Sequence, residues 1–222
     1  ADESDGSFTK LSPVMAIVTN IDQEHLDYYK GGIEEIKSTF ISFINKIPFY
    51  GTAVLCLDNG YVNEILSKVE KNYITYCIQS KADLTARDIQ FKNTTTKFEC
   101  YYKNERLGTV TLKIPGLHNI NNALASIATA LELSIDFKTI KEGLEQFTGV
   151  ERRFQIKGIK NDIIVIDDYG HHPAEIKATV AAAKSAWDKP ITVVFQPHRY
   201  TRTKFLFNEF LGCFEGVDSL LI

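Results

Sequence analysis

Apolar positions along the chain recur at two different periods, and the changes of period mark where elements begin and end. Residues 14–19 are a short run of mostly branched apolar side chains, which predicts a buried strand. Ile33, Ile36, Phe40, Ile44 and Ile47 share one face at helical spacing, so a helix is expected over 33–47, ended by Pro48. Residues 53–57 and 74–78 predict two more buried strands, with a short helix near 62–69 between them. This alternation is the mark of an α/β fold. Residues 84–114 change character. Their apolar and Thr/Tyr-rich stretches, broken at Asn93-Thr94-Thr95-Thr96 and Lys103-Asn104-Glu105, predict antiparallel strands.

Pro115-Gly116-Leu117-His118 leads into a helix expected over 119–133, with Ile120, Leu124, Ile127 and Leu131 on its buried face and Asn119, Asn122 and Ser126 opposite. A second helix is expected over 137–147. Thr148-Gly149-Val150-Glu151-Arg152-Arg153 is polar and carries a Gly after a helix, so the domain boundary is set there: 1–149 and 150–222. Beyond it, strands at 163–166, 191–195 and from 217 alternate with helices at 173–187 and from 203, the first opened by Pro173. That order, β-α-β-α-β, predicts parallel strands with right-handed crossovers.

Composition narrows the function classes. Of 222 residues, 44% are hydrophobic and 24% charged, with a formal net charge of −3, so there is no basic excess for a nucleic-acid partner. No apolar run approaches the roughly 20 residues that span a bilayer. Cys56, Cys77, Cys100 and Cys213 form no C-x-x-C pair and read as reduced thiols of a cytoplasmic protein. The chain opens on Ala1-Asp2-Glu3-Ser4-Asp5 without Met and closes on an apolar run, so it is expected to be a piece of a longer protein.

Candidate chemistry concentrates in two loops that follow the first two strands of the second half. They are Asp167-Asp168-Tyr169-Gly170-His171-His172-Pro173 and Gln196-Pro197-His198-Arg199-Tyr200-Thr201-Arg202. Both leave the carboxyl ends of strands expected to be parallel, the edge where open α/β sheets bind ligands. Arg199 and Arg202 suit a carboxylate or phosphate. Asp168 suits a ribose, or else Asp167 or His172 caps the helix at Pro173. His172 is assigned to the cap and His171 to the site. Metal ligation by Asp167, Asp168, His171 and His198 is the alternative, and the neighbouring arginines and tyrosines favour anion binding over it. Glu3 and Asp5, with His25 and Asp27, offer hard ligands for Mg²⁺, which needs only one or two from protein. In His118-Asn119-Ile120-Asn121-Asn122, Asn119 suits a helix start, while Asn122 lies on the face away from the core, where an amide reads a base edge.

These segments, with Gly6-Ser7-Phe8, Thr19-Asn20-Ile21 and Arg152-Arg153-Phe154, occur in the order found in the Mur ligases, and the chain resembles that family over nearly its whole length. The two loops together look like the alanine-adding branch. The resemblance implies an α/β central ATPase domain with an antiparallel portion, followed by the start of a Rossmann-like C-terminal domain. It implies ATP and Mg²⁺ as cofactors, UDP-N-acetylmuramate and L-alanine as substrates, an acyl-phosphate intermediate, and a bacterial cytoplasmic setting in peptidoglycan synthesis. Glu3 and His25 match the family's magnesium ligands. His118, Asn119 and Asn122 match the adenine segment, and Arg152, Arg153 and Asp168 match positions near the ribose and phosphates. Tyr169, His171, His198, Arg199 and Arg202 match the pocket for alanine and the reacting carboxylate, with His171, His198, Arg199 and Arg202 as catalytic residues. Lys37 lies near a lysine that several relatives carry carbamylated, a role not carried over. The family's G-x-x-G-K-[ST] phosphate loop is absent from the 222 residues, so the chain alone is expected to be inactive. The alternatives are a non-catalytic nucleotide-binding module and a related murein-peptide ligase.

Overall fold

The computed structural model describes residues 5–23, 28–79 and 81–222. After a 3₁₀ turn at Ser7–Lys10 come β1 (Met15–Val18), α1 (Gly32–Ile44), β2 (Thr52–Cys56), α2 (Gly60–Ile65) and β3 (Tyr73–Cys77). Then follow β4 (Leu84–Lys92), β5 (Thr95–Tyr102) and β6 (Glu105–Leu112). The six strands form one sheet in chain order. The steps from β1 to β4 are parallel. The two-residue connections 93–94 and 103–104 leave only antiparallel pairing for β4, β5 and β6. Lys103 and Asn104 both have positive φ, 48° and 68°, the backbone of a turn whose twist matches the strands it joins. The sheet is thus mixed, as the change of pattern at residue 84 predicts.

Helices α3 (Leu117–Glu132) and α4 (Phe137–Gln146) follow. Ile120, Leu124 and Ile127 of α3 are fully buried, while Asn122 and Ser126 face outward. The remaining elements are β7 (Gln155–Lys160), β8 (Ile163–Asp167), α5 (Pro173–Ala186), β9 (Thr192–Val194), α6 (Tyr200–Phe205), α7 (Phe207–Gly212) and β10 (Ser219–Leu221).

The chain forms two compact units that do not follow chain order. One comprises residues 1–87, 99–109 and 120–141, the other residues 88–98, 110–119 and 142–222. In the first, every residue of β2 is buried, as expected of a parallel strand covered on both faces. Ile36, Ile44, Ile47, Leu55, Val62 and Ile65 belong to its core. Ile47 completes the apolar face of α1 from just beyond the helix end. In the second unit, Ile176 and Val180 of α5 pack with Leu206, Phe210 and Cys213.

Two expectations need correction. The strands following residue 154 do not form one parallel run. β9 and β10 pair in parallel, but β8 pairs antiparallel with β7, a strand the periodicity did not predict. The cause is local: Asn161 and Asp162 both take positive φ, 50° and 64°, and fold β7 directly back onto β8. The helix expected from residue 203 starts at Tyr200 and breaks at Leu206 into two short helices. No helix among the described residues is long and apolar enough to cross a membrane. All four cysteines are free and buried.

Candidate active site

The first loop is held from below by carboxylates. Asp168 ends the strand region with both oxygens occupied: Oδ1 accepts the N–H of Gly170 at 2.6 Å and Oδ2 that of Phe154 at 2.9 Å. The backbone N–H of Tyr169 donates to the Arg152 carbonyl at 2.7 Å, so residues 152–154 and 168–170 are laced together. His172 is the N-cap of α5, with Nδ1 accepting from the Ala174 N–H and Pro173 at the first helical position. The assignment of His172 to the cap therefore stands. Glu175 completes a reciprocal cap and reaches further. It accepts from the N–H groups of His171 and His172 and from the Arg153 guanidinium. Desolvation opposes its ionisation, but these donors outweigh it and hold its pKa below the ordinary carboxylate range.

Above this base the aromatic and basic side chains gather. The Tyr169 and His171 rings meet edge to face at 5.1 Å, and the His171 and His198 rings lie 6.3 Å apart. The Arg152 guanidinium lies 4.9 Å from the Tyr169 ring centre and that of Arg153 5.9 Å. Tyr169 is about half exposed, so one side of this group faces solvent. In the second loop Arg199 is the N-cap of α6 at φ 67° and ψ 115°, a backbone region that non-glycine residues rarely adopt. One turn on, Arg202 donates to the His198 carbonyl at 3.4 Å. Tyr169, His171 and His198 thus come together across two loops, and Arg199 and Arg202 flank His198.

The start of α3 is built on a glycine. Gly116 has φ +103°, and a Cβ there would lie 2.7 Å from Cε1 and 2.9 Å from Nδ1 of His118. The imidazole therefore sits directly over the glycine. Desolvation lowers its pKa, with the charge of Asp168 raising it and that of Arg153 lowering it. Asn119 donates its side-chain N–H to the Pro115 carbonyl at 2.7 Å, tying the helix start to the preceding loop. Asn122 is exposed on the second turn.

Glu3, His25 and Asp27 lie outside the described residues, and Asp5 accepts from the Ser7 N–H at 2.9 Å. Among the described residues no three His, Cys, Asp or Glu side chains are grouped to hold a metal ion. Lys37 pairs with Glu34 and with Glu64, the latter at 2.9 Å, and these partners raise its pKa and favour the ammonium form. Sequence reasoning passed over Glu175. Its signal was a Glu three residues after a cap, the spacing of a capping box, here on a histidine rather than Ser or Thr.

Residues 2–130 match the Mur ligase middle domain and residues 152–222 the Mur ligase glutamate ligase domain. The chain belongs to the Mur ligase family. It is 58% identical over 222 residues to the UDP-N-acetylmuramate–L-alanine ligase of Geotalea daltonii, covering 100% of this chain and 48% of that protein. The protein of the same name from Trichlorobacter lovleyi is 56% identical, at 100% and 49% coverage. Among solved structures, the UDP-N-acetylmuramate-alanine ligase MurC of Thermotoga maritima superposes with a TM-score of 0.81 at 29% identity, covering 99% of this chain and 47% of that one. The chain thus spans about half the length of the curated relatives it matches.

Proposed function

We propose that the protein carrying this chain is an ATP-dependent ligase that joins UDP-N-acetylmuramate to L-alanine in the synthesis of peptidoglycan precursors. The observation that carries this reading is the 58% identity, across all 222 residues, to a ligase so named. The gathering of Tyr169, His171 and His198 beside Arg199 and Arg202 supports it, because the reaction handles two carboxylates and a phosphoryl group.

In this reading residues 1–149 are the ATP-binding domain and residues 150–222 the amino-acid-binding domain, which also contributes Arg152, Arg153 and Asp168 towards the nucleotide. The muramate carboxylate attacks the γ-phosphorus of ATP, the bond to ADP breaks, and an acyl phosphate forms. The alanine amine then attacks the acyl carbon, and phosphate leaves as the amide forms. Arg199 and Arg202 bind alanine's carboxylate and stabilise the oxyanion that develops at the acyl carbon. Tyr169, His171 and His198 line the alanine pocket, and the imidazoles accept the proton that the amine loses. His118, Asn119 and Asn122 hold the adenine, while Arg152, Arg153 and Asp168 lie towards the ribose and phosphates. Glu3 and His25, one carboxylate and one imidazole, are a donor set that suits Mg²⁺ completed by water and phosphate. The ion, when bound, supplies charge neutralisation at the phosphates. Nucleotide substrates of this kind place the enzyme in the bacterial cytoplasm.

The test is phosphate release from MgATP by the full-length protein with UDP-N-acetylmuramate, with and without L-alanine. Release that requires L-alanine is expected. Release that ignores L-alanine but follows a different amino acid would overturn the substrate assignment.

A further inference from the structure

Glu175 stands in the first turn of α5, with no part in the proposed reaction beyond its helix cap, and its two oxygens serve different partners. Oε2 accepts the N–H of His171 at 2.9 Å and of His172 at 3.2 Å. Oε1 accepts from Nη1 of Arg153 at 2.9 Å. The His171 ring nitrogen Nδ1, which lies 2.9 Å from the Tyr169 carbonyl oxygen, is 3.8 Å from the same carboxylate. A helix cap requires only the His172 amide. The His171 amide and the arginine are additional, and both partners neighbour the Tyr169 ring: the His171 ring meets it edge to face at 5.1 Å, and the Arg153 guanidinium lies 5.9 Å from its centre. The loop has no slack here. A Cβ on Gly170 would lie 2.8 Å from Asp168 Oδ1 and 3.4 Å from the Glu175 Cβ.

We propose that Glu175 is a positioning residue that holds the His171 loop and the Arg153 guanidinium in one register, so that a single carboxylate sets both the amino-acid side and the nucleotide side of the site. This rests on the reading of Tyr169 and His171 as amino-acid residues and of Arg153 as a nucleotide residue. Charge-assisted hydrogen bonds of this kind fix geometry as well as contributing energy. Without the carboxylate, the two loop amides turn to water, and Arg153 is left beside Arg152 with no counter-charge from α5.

The test compares Glu175→Ala and Glu175→Gln in the full-length protein. The measurements are KM for L-alanine and for ATP, the thermal midpoint, and exchange rates of the His171 and His172 amides by NMR. Glu175→Ala is expected to raise both KM values about tenfold. In Glu175→Gln the side-chain oxygen still accepts from the loop amides while the NH₂ faces Arg153. That variant is expected to bring the KM for L-alanine back to within about threefold of wild type and leave the KM for ATP raised. If both variants lower the thermal midpoint yet leave both KM values unchanged, Glu175 is a helix cap only and the proposal falls. If the wild-type protein shows no alanine-dependent phosphate release, the functional reading fails instead. The amides then decide the positioning role: faster exchange in Glu175→Ala, restored in Glu175→Gln, supports it, and unchanged exchange in both overturns it.

Discussion

Both oxygens of Asp168 are taken by backbone N–H groups, one two residues ahead and one fourteen behind. Removing them strands two donors at a partly buried position, and unsatisfied amides cost about 1–3 kcal/mol each. Asp168→Ala is therefore expected to lower stability by at least about 2 kcal/mol in denaturant unfolding, with Asp168→Asn losing less because its oxygen keeps one donor. Equal stability of Asp168→Ala and wild type would show that the laced backbone stands without it. At Gly116 the constraint is steric. Its φ of +103° disfavours any side chain, and an added Cβ would collide with the His118 ring. Gly116→Ala should cost about 1–3 kcal/mol and, by displacing the imidazole, raise the KM for ATP. An unchanged KM would separate His118 from nucleotide binding. The candidate residues themselves were legible from the sequence, because His, Arg and Tyr crowd two loops that follow strands. The grip on them was not: Phe154 and Asp168 are far apart in the chain, and only the fold reveals that one holds the other.

Helix α5 shows how an element's end is set by charge. Its cap combines His172, Pro173 and Glu175, and the glutamate's pKa is held below the ordinary range by the His171 amide, Arg153 and the His172 amide acting against desolvation. A carboxyl whose folded pKa is depressed stabilises the fold fully above its unfolded value and loses that contribution as pH falls through the folded one. Stability measured by denaturant titration should therefore decline in the acid range, below the ordinary glutamate pKa, and Glu175→Gln should flatten part of that decline. A slope identical in the two proteins would remove Glu175 from the acid response. The same region marks the limit of pattern reading. Helices α1 and α3 declared themselves because their buried faces repeat at one period, strands β1 to β3 because they are short apolar runs, and α5 because Pro173 opens it. β7 did not: nearly all of it is exposed, and a bulge between Ile156 and Gly158 breaks its alternation. Asn161-Asp162, two residues that tolerate positive φ, was the available signal, and it predicts a hairpin rather than a strand fed only by a crossover.

Across the whole molecule, burial is unevenly shared between the two compact units. In the first, β2 lies between two parallel neighbours with Ala53, Val54 and Leu55 fully buried. In the second, β9 is three residues long, pairs with β10, and leaves Val194 81% exposed. Opening β2 must break ladders on both sides and expose a core, whereas opening β9 breaks its ladder to β10 and frees only the half-buried Val193 from a smaller cluster. Local opening free energies follow that difference, from near zero at exposed elements to the full unfolding value in a core strand. Hydrogen exchange on the 222-residue chain should thus find the Val54 and Leu55 amides among the slowest and those of β9 among the fastest. Leu55→Ala should cost about 2–5 kcal/mol, the range for a large side chain removed from a close-packed core. It should also accelerate exchange throughout β1, β2 and β3 together, because their amides share one opening event. Slow exchange in β9 comparable to β2 would mean that the second unit owes its protection to contacts other than its own short ladder, and would overturn this ordering.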